Sequence, residues 1–234
     1  MKKSSLLFII FLLSLGNAFG QFTKSKNLPN YDSKLIHWGF TFGVNKLDFI
    51  VVKTQSFYNA PSEDNLYGIA HQWMPGAHLG PIFELRLSRY FTFRTLITLT
   101  FQQRSLVYYF NQGTAPLKIN IPSTFVQSPL LIKFHGHRYG NTRPYVIAGA
   151  APTLDISSFK KPQTNTPHVF LSSFDTYIES GMGIDWYLQY FKFSTEIKFG
   201  RGLFNVLEPD NTVYTKYLQG LTSYYFMFSL HFEG

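Results

Sequence analysis

Four carboxylates in the middle of the chain are the side chains best suited to acid–base chemistry: Glu84, Glu179, Asp185 and Glu196. Two such groups on either side of a scissile bond can act as general acid and base. However, basic side chains recur in the same segments, and opposite charges enclosed in a narrow space pair with one another. We therefore expect a structural charge network instead of a catalytic pair. Its expected members are Glu84, Arg86, Arg94, Arg104, Lys133, Glu179, Asp185, Lys192, Glu196 and Lys198.

Other motifs give weaker signals for chemistry. The HGH sequence at 135–137 offers two metal ligands but no third nearby, whereas a zinc site needs at least three protein ligands. The GMG sequence at 181–183 lies inside a strand pattern, so we expect its glycines to leave room for large neighbours such as Arg86 or Arg104. The chain has no Cys and no Gly-x-Ser-x-Gly elbow. We predict no catalytic residue, cofactor or metal, with loop-borne catalysis as an open alternative.

The first twenty residues have the layout of a secretory signal peptide. Lys2 and Lys3 precede an apolar run at 6–15, and the small-x-small sequence AFG ends at Gly20. The apolar run is too short for a membrane-spanning helix. We expect a signal peptide at 1–20, a periplasmic lead-in at 21–34 and one domain at 35–234.

The composition favours a surface in contact with lipid. The chain has 25 Phe and 15 Tyr, yet only 15% charged residues, against about 25% in typical soluble domains. The net charge of +8 is scattered along the chain, which argues against nucleic acid as a partner and is compatible with anionic lipid headgroups. No small-molecule substrate is evident.

Alternation of apolar and polar residues with a period of two recurs along the chain and predicts strands. In the first segment Ile36, Trp38 and Phe40 alternate with His37 and Gly39. The fifth segment is too rich in Ala and Gly for its faces to be assigned. The eight segments are 36–45, 79–88, 91–104, 127–135, 145–154, 177–186, 191–200 and 225–232.

Short and long connections alternate between these segments. The short ones lie at 88–90, 137–143 and 189–190, and the long ones at 46–77, 105–122, 156–173 and 201–222. Outer-membrane barrels have short periplasmic turns and long external loops, and an even strand number returns both termini to the periplasm. We predict an all-β fold: an eight-stranded antiparallel up-and-down transmembrane β-barrel of the outer membrane.

A secreted soluble barrel of the lipocalin type is the alternative, with the apolar face inside. The interior of an eight-stranded barrel only just holds its own side chains, and the apolar face here is heavy with Phe and Trp. We therefore expect that face to point to lipid and the smaller polar face to fill the interior. The last strand resembles the aromatic C-terminal strand used for barrel insertion, but it departs from that pattern in the trailing Glu233 and Gly234.

Three segments resemble the PorT family of Bacteroidota. They read NLPNYDSKLIHWGF at 27–40, RPYVIAG at 143–149 and GLFNVL at 202–207, and the last is followed by PDNTVYT at 209–215. Members of that family are small outer-membrane barrels of the type IX secretion system. The resemblance implies an accessory, non-enzymatic role in the export of secreted and gliding-motility proteins, with the large outer-membrane translocon among the partners.

The stretch at 209–215, which follows the last of these segments, is expected to be a partner-contact loop through Pro209, Asp210, Asn211 and Tyr214. Simple strand capping is an equally open interpretation of the first and last segments. At the level of the whole chain, the competing function is a narrow pore or small-solute transporter of the outer membrane.

Overall fold

A computed structural model describes residues 26–59, 65–110, 115–159, 169–208 and 215–234. Among these residues no helix is long and apolar enough to cross a membrane. Eight strands account for most of them, and three strands are interrupted once. The strands are β1 (Ile36–Lys53), β2 (Leu66–Trp73 and Pro75–Arg86), β3 (Phe91–Leu96 and Thr98–Phe110), β4 (Leu117–Gln127 and Leu130–His135), β5 (Thr142–Asp155), β6 (Phe174–Tyr187), β7 (Lys192–Gly202) and β8 (Leu218–Glu233).

The eight strands form a closed ring. Each strand pairs antiparallel with the next along the chain, and β1 pairs with β8 to complete the circle. At the closing seam Phe40 lies opposite Phe232, and their rings stack with centroids 5.2 Å apart. Every strand therefore has a hydrogen-bonded neighbour on each side, although at the loop end the Leu66–Trp73 part of β2 pairs with β3 alone. The predicted eight-stranded up-and-down barrel is confirmed.

The two faces of the barrel are also as the alternation predicts. On β1, Trp38 and Phe40 are 65% and 56% exposed, whereas His37 and Thr41 are buried. The burial of its side chains also shows which face of β5 points inward. Its inward set includes Arg143, Tyr145, Ile147, Thr153 and Asp155, and its outward set includes Val146 and Leu154.

Three of the four predicted long loops are shorter than expected. The connections cover 54–65, 111–116 and 203–217, because the flanking strands continue well past the predicted ends. Thus β1 continues to Lys53 and still pairs with β8 there. The fourth connection, at 156–173, has its predicted bounds.

An apolar core fills the barrel at the end where the long connections lie. Its inward residues include Phe49 on β1, Leu106 and Tyr108 on β3, and Ile119 on β4. A two-stranded ribbon, in which Phe170–Leu171 pairs with Leu207–Glu208, adds side chains to this core. Because the inward residues are apolar here as well as the outward ones, the sequence loses its alternation of apolar and polar residues at this end.

The opposite end has tight turns. Ser88 accepts hydrogen bonds through Oγ from the backbone N–H groups of Tyr90 and Phe91, at 3.3 and 3.2 Å. Gly140 has φ of 58° in the turn between β4 and β5, a conformation that glycine adopts without steric cost. These turns hold the strand ends in a compact rim, across which the N-terminal segment lies.

Candidate functional site

A cluster of buried charges crosses the barrel interior in the half nearer the short turns. Arg94 on β3 is fully buried and contacts three carboxylates: Glu84 at 2.5 Å, Glu196 at 2.7 Å and Glu233 at 3.2 Å. Lys192 bridges two of the same groups, at 3.1 Å from Glu84 and 2.7 Å from Glu233. Since four strands contribute to these contacts (β2, β3, β7 and β8), the cluster ties opposite walls of the barrel together.

Lys133 extends this cluster toward β6. Its Nζ lies 2.9 Å from Asp185 and 3.4 Å from Glu84. Asp185 also accepts a hydrogen bond from Ser194 Oγ at 2.6 Å, and Tyr145 donates to Glu196 at 2.9 Å. We call the seven charged residues of this set the central cluster: Glu84, Arg94, Lys133, Asp185, Lys192, Glu196 and Glu233.

Four of the ten residues predicted for the network lie outside the central cluster. Lys198 and Glu179 form their own pair at 2.8 Å, and Glu179 also accepts a hydrogen bond from Tyr225. Arg104 lies nearer the apolar end, 3.3 Å from Asp155, with its guanidinium over the Phe49 ring.

Arg86, the fourth of these residues, points to the rim with the short turns and donates to the backbone carbonyl of Asp32. Neither Arg86 nor Arg104 is the neighbour for which the 181–183 glycines leave room. A Cβ on Gly183 would meet the Tyr145 ring at 2.4 Å, and one on Gly181 would meet the Ile197 carbonyl oxygen at 2.6 Å.

Glu233 is a member of the central cluster that the sequence interpretation missed. The alternation on β8 places Tyr225, Met227, Ser229 and His231 inside, and one further step along the strand reaches Glu233. Extending the same parity by two residues would have identified it. What looked like a departure from an aromatic C-terminal pattern is a carboxylate that pairs with Arg94 and Lys192.

The N-terminal segment covers the rim with the short turns. Tyr31 is buried there and stacks on His37, with ring centroids 4.0 Å apart. Its hydroxyl donates to Glu233 at 3.4 Å, so the segment touches the central cluster directly. Burial raises the pKa of the Tyr31 phenol above its usual value, which keeps it a neutral donor.

Asp32 in this segment is held by three side chains of the barrel rim. Tyr187 donates to its Oδ1 at 2.7 Å. Arg143 lies 3.3 Å from Oδ1 and Arg138 lies 3.5 Å from Oδ2. The segment is also anchored through Asn27, which donates to the backbone carbonyl of Tyr187 at 3.0 Å. We call Arg138, Arg143 and Tyr187 the carboxylate cradle.

A cavity of about 480 Å³ opens beside the cradle. Besides the cradle arginines, its lining includes Lys26, Arg86 and Arg89, while Glu84 and Lys192 lie at the interior side. His137 lines the cavity too, and His135 is turned inward, 3.5 Å from Asp185. In the described part of the chain no group of three potential ligands is placed to hold a metal ion.

At the opposite end, the 202–207 segment combines capping with exposure. Asn205 Oδ1 accepts from the backbone N–H of Leu221 at 2.8 Å and of Leu207 at 3.1 Å. Leu203 and Phe204, in contrast, are about half exposed. The expected partner-contact loop at Pro209, Asp210, Asn211 and Tyr214 lies outside the described residues.

Comparison with known families agrees with this architecture. A model described as "Outer membrane protein beta-barrel domain" matches residues 19–208. The chain belongs to this family. No curated protein sequence matches the chain.

Several solved structures of outer-membrane proteins are similar to the chain at low sequence identity. OprG from Pseudomonas aeruginosa is 12% identical with a TM-score of 0.48, over 86% of this chain and 94% of that one. Ail, the attachment invasion locus protein of Yersinia pestis, is 10% identical with a TM-score of 0.35, over 86% and 100%. The N-terminal barrel domain of Pseudomonas aeruginosa OprF is also 10% identical, with a TM-score of 0.34, over 83% and 97%.

Proposed function

We propose that this outer-membrane barrel is a non-enzymatic accessory component of protein secretion, whose rims and loops contact other proteins. The observation that carries the proposal is the filled interior. Arg94 and Lys133 are completely buried in the barrel interior, the N-terminal segment covers one end, and an apolar core fills the other. A barrel closed in this way offers its outer surfaces for function, since its interior holds charges already paired with one another.

The specific assignment to the type IX secretion system rests on the resemblance to the PorT family. Segment 27–40 supplies the residues that cover the barrel rim, and segment 202–207 lies at the loop end with Leu203 and Phe204 exposed. In this proposal the signal peptide at 1–20 directs export, and both termini face the periplasm. The partners are other secretion components, including the large outer-membrane translocon.

Deletion of the gene tests the secretion role. We expect secreted substrates to accumulate in the periplasm while the outer membrane stays intact, measured by the distribution of cargo between periplasm and medium. Leakage of a periplasmic marker enzyme serves as the control for membrane damage, and expression of the intact chain should restore secretion. Normal secretion in the deletion strain would contradict the proposal.

A narrow pore or small-solute transporter is the second candidate. It is favoured by the polar lining of the mid-barrel, where Glu84, Lys133 and Asp185 face the axis, and by the cavity at one end. Such a function would require the central cluster to open, and conductance of the reconstituted chain in a planar bilayer separates the two candidates.

A further inference from the structure

The arginines of the carboxylate cradle are held in place by hydrogen bonds to backbone carbonyl groups as well as by Asp32. Arg143 donates through Nε to the Gly136 carbonyl at 3.0 Å and through Nη2 to the Arg89 carbonyl at 2.9 Å. These two bonds fix the guanidinium plane and leave Nη1 directed at Asp32. A guanidinium fixed by other groups loses little conformational freedom when it binds an anion.

Arg138 is fixed in the same manner. It donates through Nε to the Gly140 carbonyl at 3.0 Å and through Nη2 to the backbone carbonyl of Asn27. Its guanidinium also lies over the Tyr187 ring, 3.6 Å from the centroid. The Tyr187 hydroxyl completes the set of donors, so the cradle presents three donors to one carboxylate.

The charge around the cradle exceeds what Asp32 can neutralise. The rim side of the cavity has five basic residues, Lys26, Arg86, Arg89, Arg138 and Arg143, and one carboxylate, Asp32. The Asp32 side chain is 38% exposed, so the carboxylate can be reached from the cavity. Surplus positive charge in a concave site attracts anions and orients their approach.

We propose that the cradle binds a carboxylate from an acidic peptide segment of a periplasmic partner protein, and that Asp32 is the internal stand-in for it. The contacts of Asp32 show that the three donors together bind a carboxylate. The cavity of about 480 Å³ has room for several peptide atoms beyond the carboxylate. A lipid headgroup is the less suitable occupant, because the cavity extends inward to Glu84 and Lys192 in the barrel interior. The proposal does not depend on the secretion role.

The test measures binding of a fluorescently labelled tetra-aspartate peptide to the purified full chain in detergent. Asp32→Asn should bind the peptide about tenfold more tightly than the parent chain, because the internal competitor loses its charge. Arg138→Gln/Arg143→Gln should bind about tenfold more weakly, because two charge-assisted hydrogen bonds are removed. Arg201→Gln is the matched control, since Arg201 is an exposed residue far along β7, and it should bind as the parent does.

Two further comparisons make the result decisive. Arg143→Lys keeps the charge but not the planar donor set, so it should also weaken binding, whereas a purely electrostatic attraction would leave affinity unchanged. A band that resists SDS in unheated samples and shifts on boiling shows that each variant folds. Equal affinity in all variants, or no gain with Asp32→Asn, would overturn the proposal.

Inorganic phosphate serves as the second probe. The concentration of phosphate needed to displace the peptide is compared with that of acetylated aspartate. If phosphate displaces the peptide at the lower concentration, the site is a phosphate site and the assignment to a carboxylate is overturned. These binding measurements are independent of the gene deletion, so failure of one proposal is distinguishable from failure of the other.

Discussion

At the scale of single residues, Arg94 holds the central cluster together. It contacts three carboxylates and is fully buried. Removing charges from water is costly, and a buried ion pair is seldom more stable than an apolar pair of the same shape. The cluster contains three cations and four carboxylates, and their mutual contacts fix which strands face one another across the barrel. Its main contribution is therefore to specify one packing of the interior.

Loss of Arg94 should be strongly destabilising. In Arg94→Met, Glu84, Glu196 and Glu233 each lose a partner in a closed interior, and removing one partner from a buried pair costs roughly 3–5 kcal/mol. Urea unfolding of the protein in lipid vesicles measures this change. Arg201→Met, an exposed site on β7, is the control and should change the free energy of unfolding little.

A second substitution tests whether charge compensation is the cause. Glu233→Gln in the Arg94→Met background removes one of the carboxylates left without Arg94, so part of the lost stability should return. Non-additivity of this kind is expected for residues in one network. Exactly additive effects would show that Arg94 acts through packing of its side chain instead of its charge.

The sequence predicted which residues face inward, but not which of them meet. Parity along a strand places Arg94 and Arg104 on the same face of β3. Their height along the barrel axis depends on the stagger between neighbouring strands, which parity does not contain. Hence Arg104 lies with Asp155 and Phe49 near the apolar end. No local signal pointed to Asp32, because its partners on β5 and β6 are more than a hundred residues away.

At the scale of elements, alternation is informative only where the two faces differ in polarity. In the middle of the barrel they do, and all eight strands were recognisable there. Toward the loop end the inward residues become apolar, as with Leu47 and Phe49 on β1, while Ile50 and Val52 face outward. Two apolar faces produce no period of two, so the alternation predicts loops where these strands continue.

The outward face of β1 provides a test of the lipid-facing assignment. Phe40 is exposed in the middle of an apolar row that runs from Ile36 to Val44. Phe40→Arg should destabilise the barrel by roughly 2–4 kcal/mol, the cost of a basic side chain near the bilayer midplane. Folding into vesicles, followed by protection from protease, measures the effect.

Two controls separate lipid contact from general disruption. Gln55→Arg adds the same charge at an exposed position beyond β1 and should insert normally. Thr41→Arg, one residue from Phe40, would crowd a buried interior position, and its effect should persist in detergent, where the penalty for Phe40→Arg is reduced. Normal insertion of Phe40→Arg would contradict the face assignment.

At the scale of the whole molecule, three successive layers of residues block the barrel interior from one end to the other. The N-terminal segment covers the rim through Tyr31 and Asp32, the central cluster lies directly behind that segment, and an apolar core lies beneath the long connections. The three layers differ in chemistry, and only the first can move without breaking the barrel wall, since it joins β1 through residues 34 and 35 alone. A ligand at the carboxylate cradle would act on that layer.

This layering predicts that the intact protein does not conduct. Reconstituted into a planar bilayer, the full chain should leave the current at baseline, because the fully buried side chains of Arg94 and Lys133 occupy the axis. An open porin in the same bilayer is the positive control. Tyr31→Ala should loosen the covering segment yet also remain silent, because the central cluster beneath it is intact. Steady, discrete conductance from the parent chain would favour the narrow pore. Conductance from Tyr31→Ala alone would show that the N-terminal segment is the seal and that the central cluster leaves a path for ions.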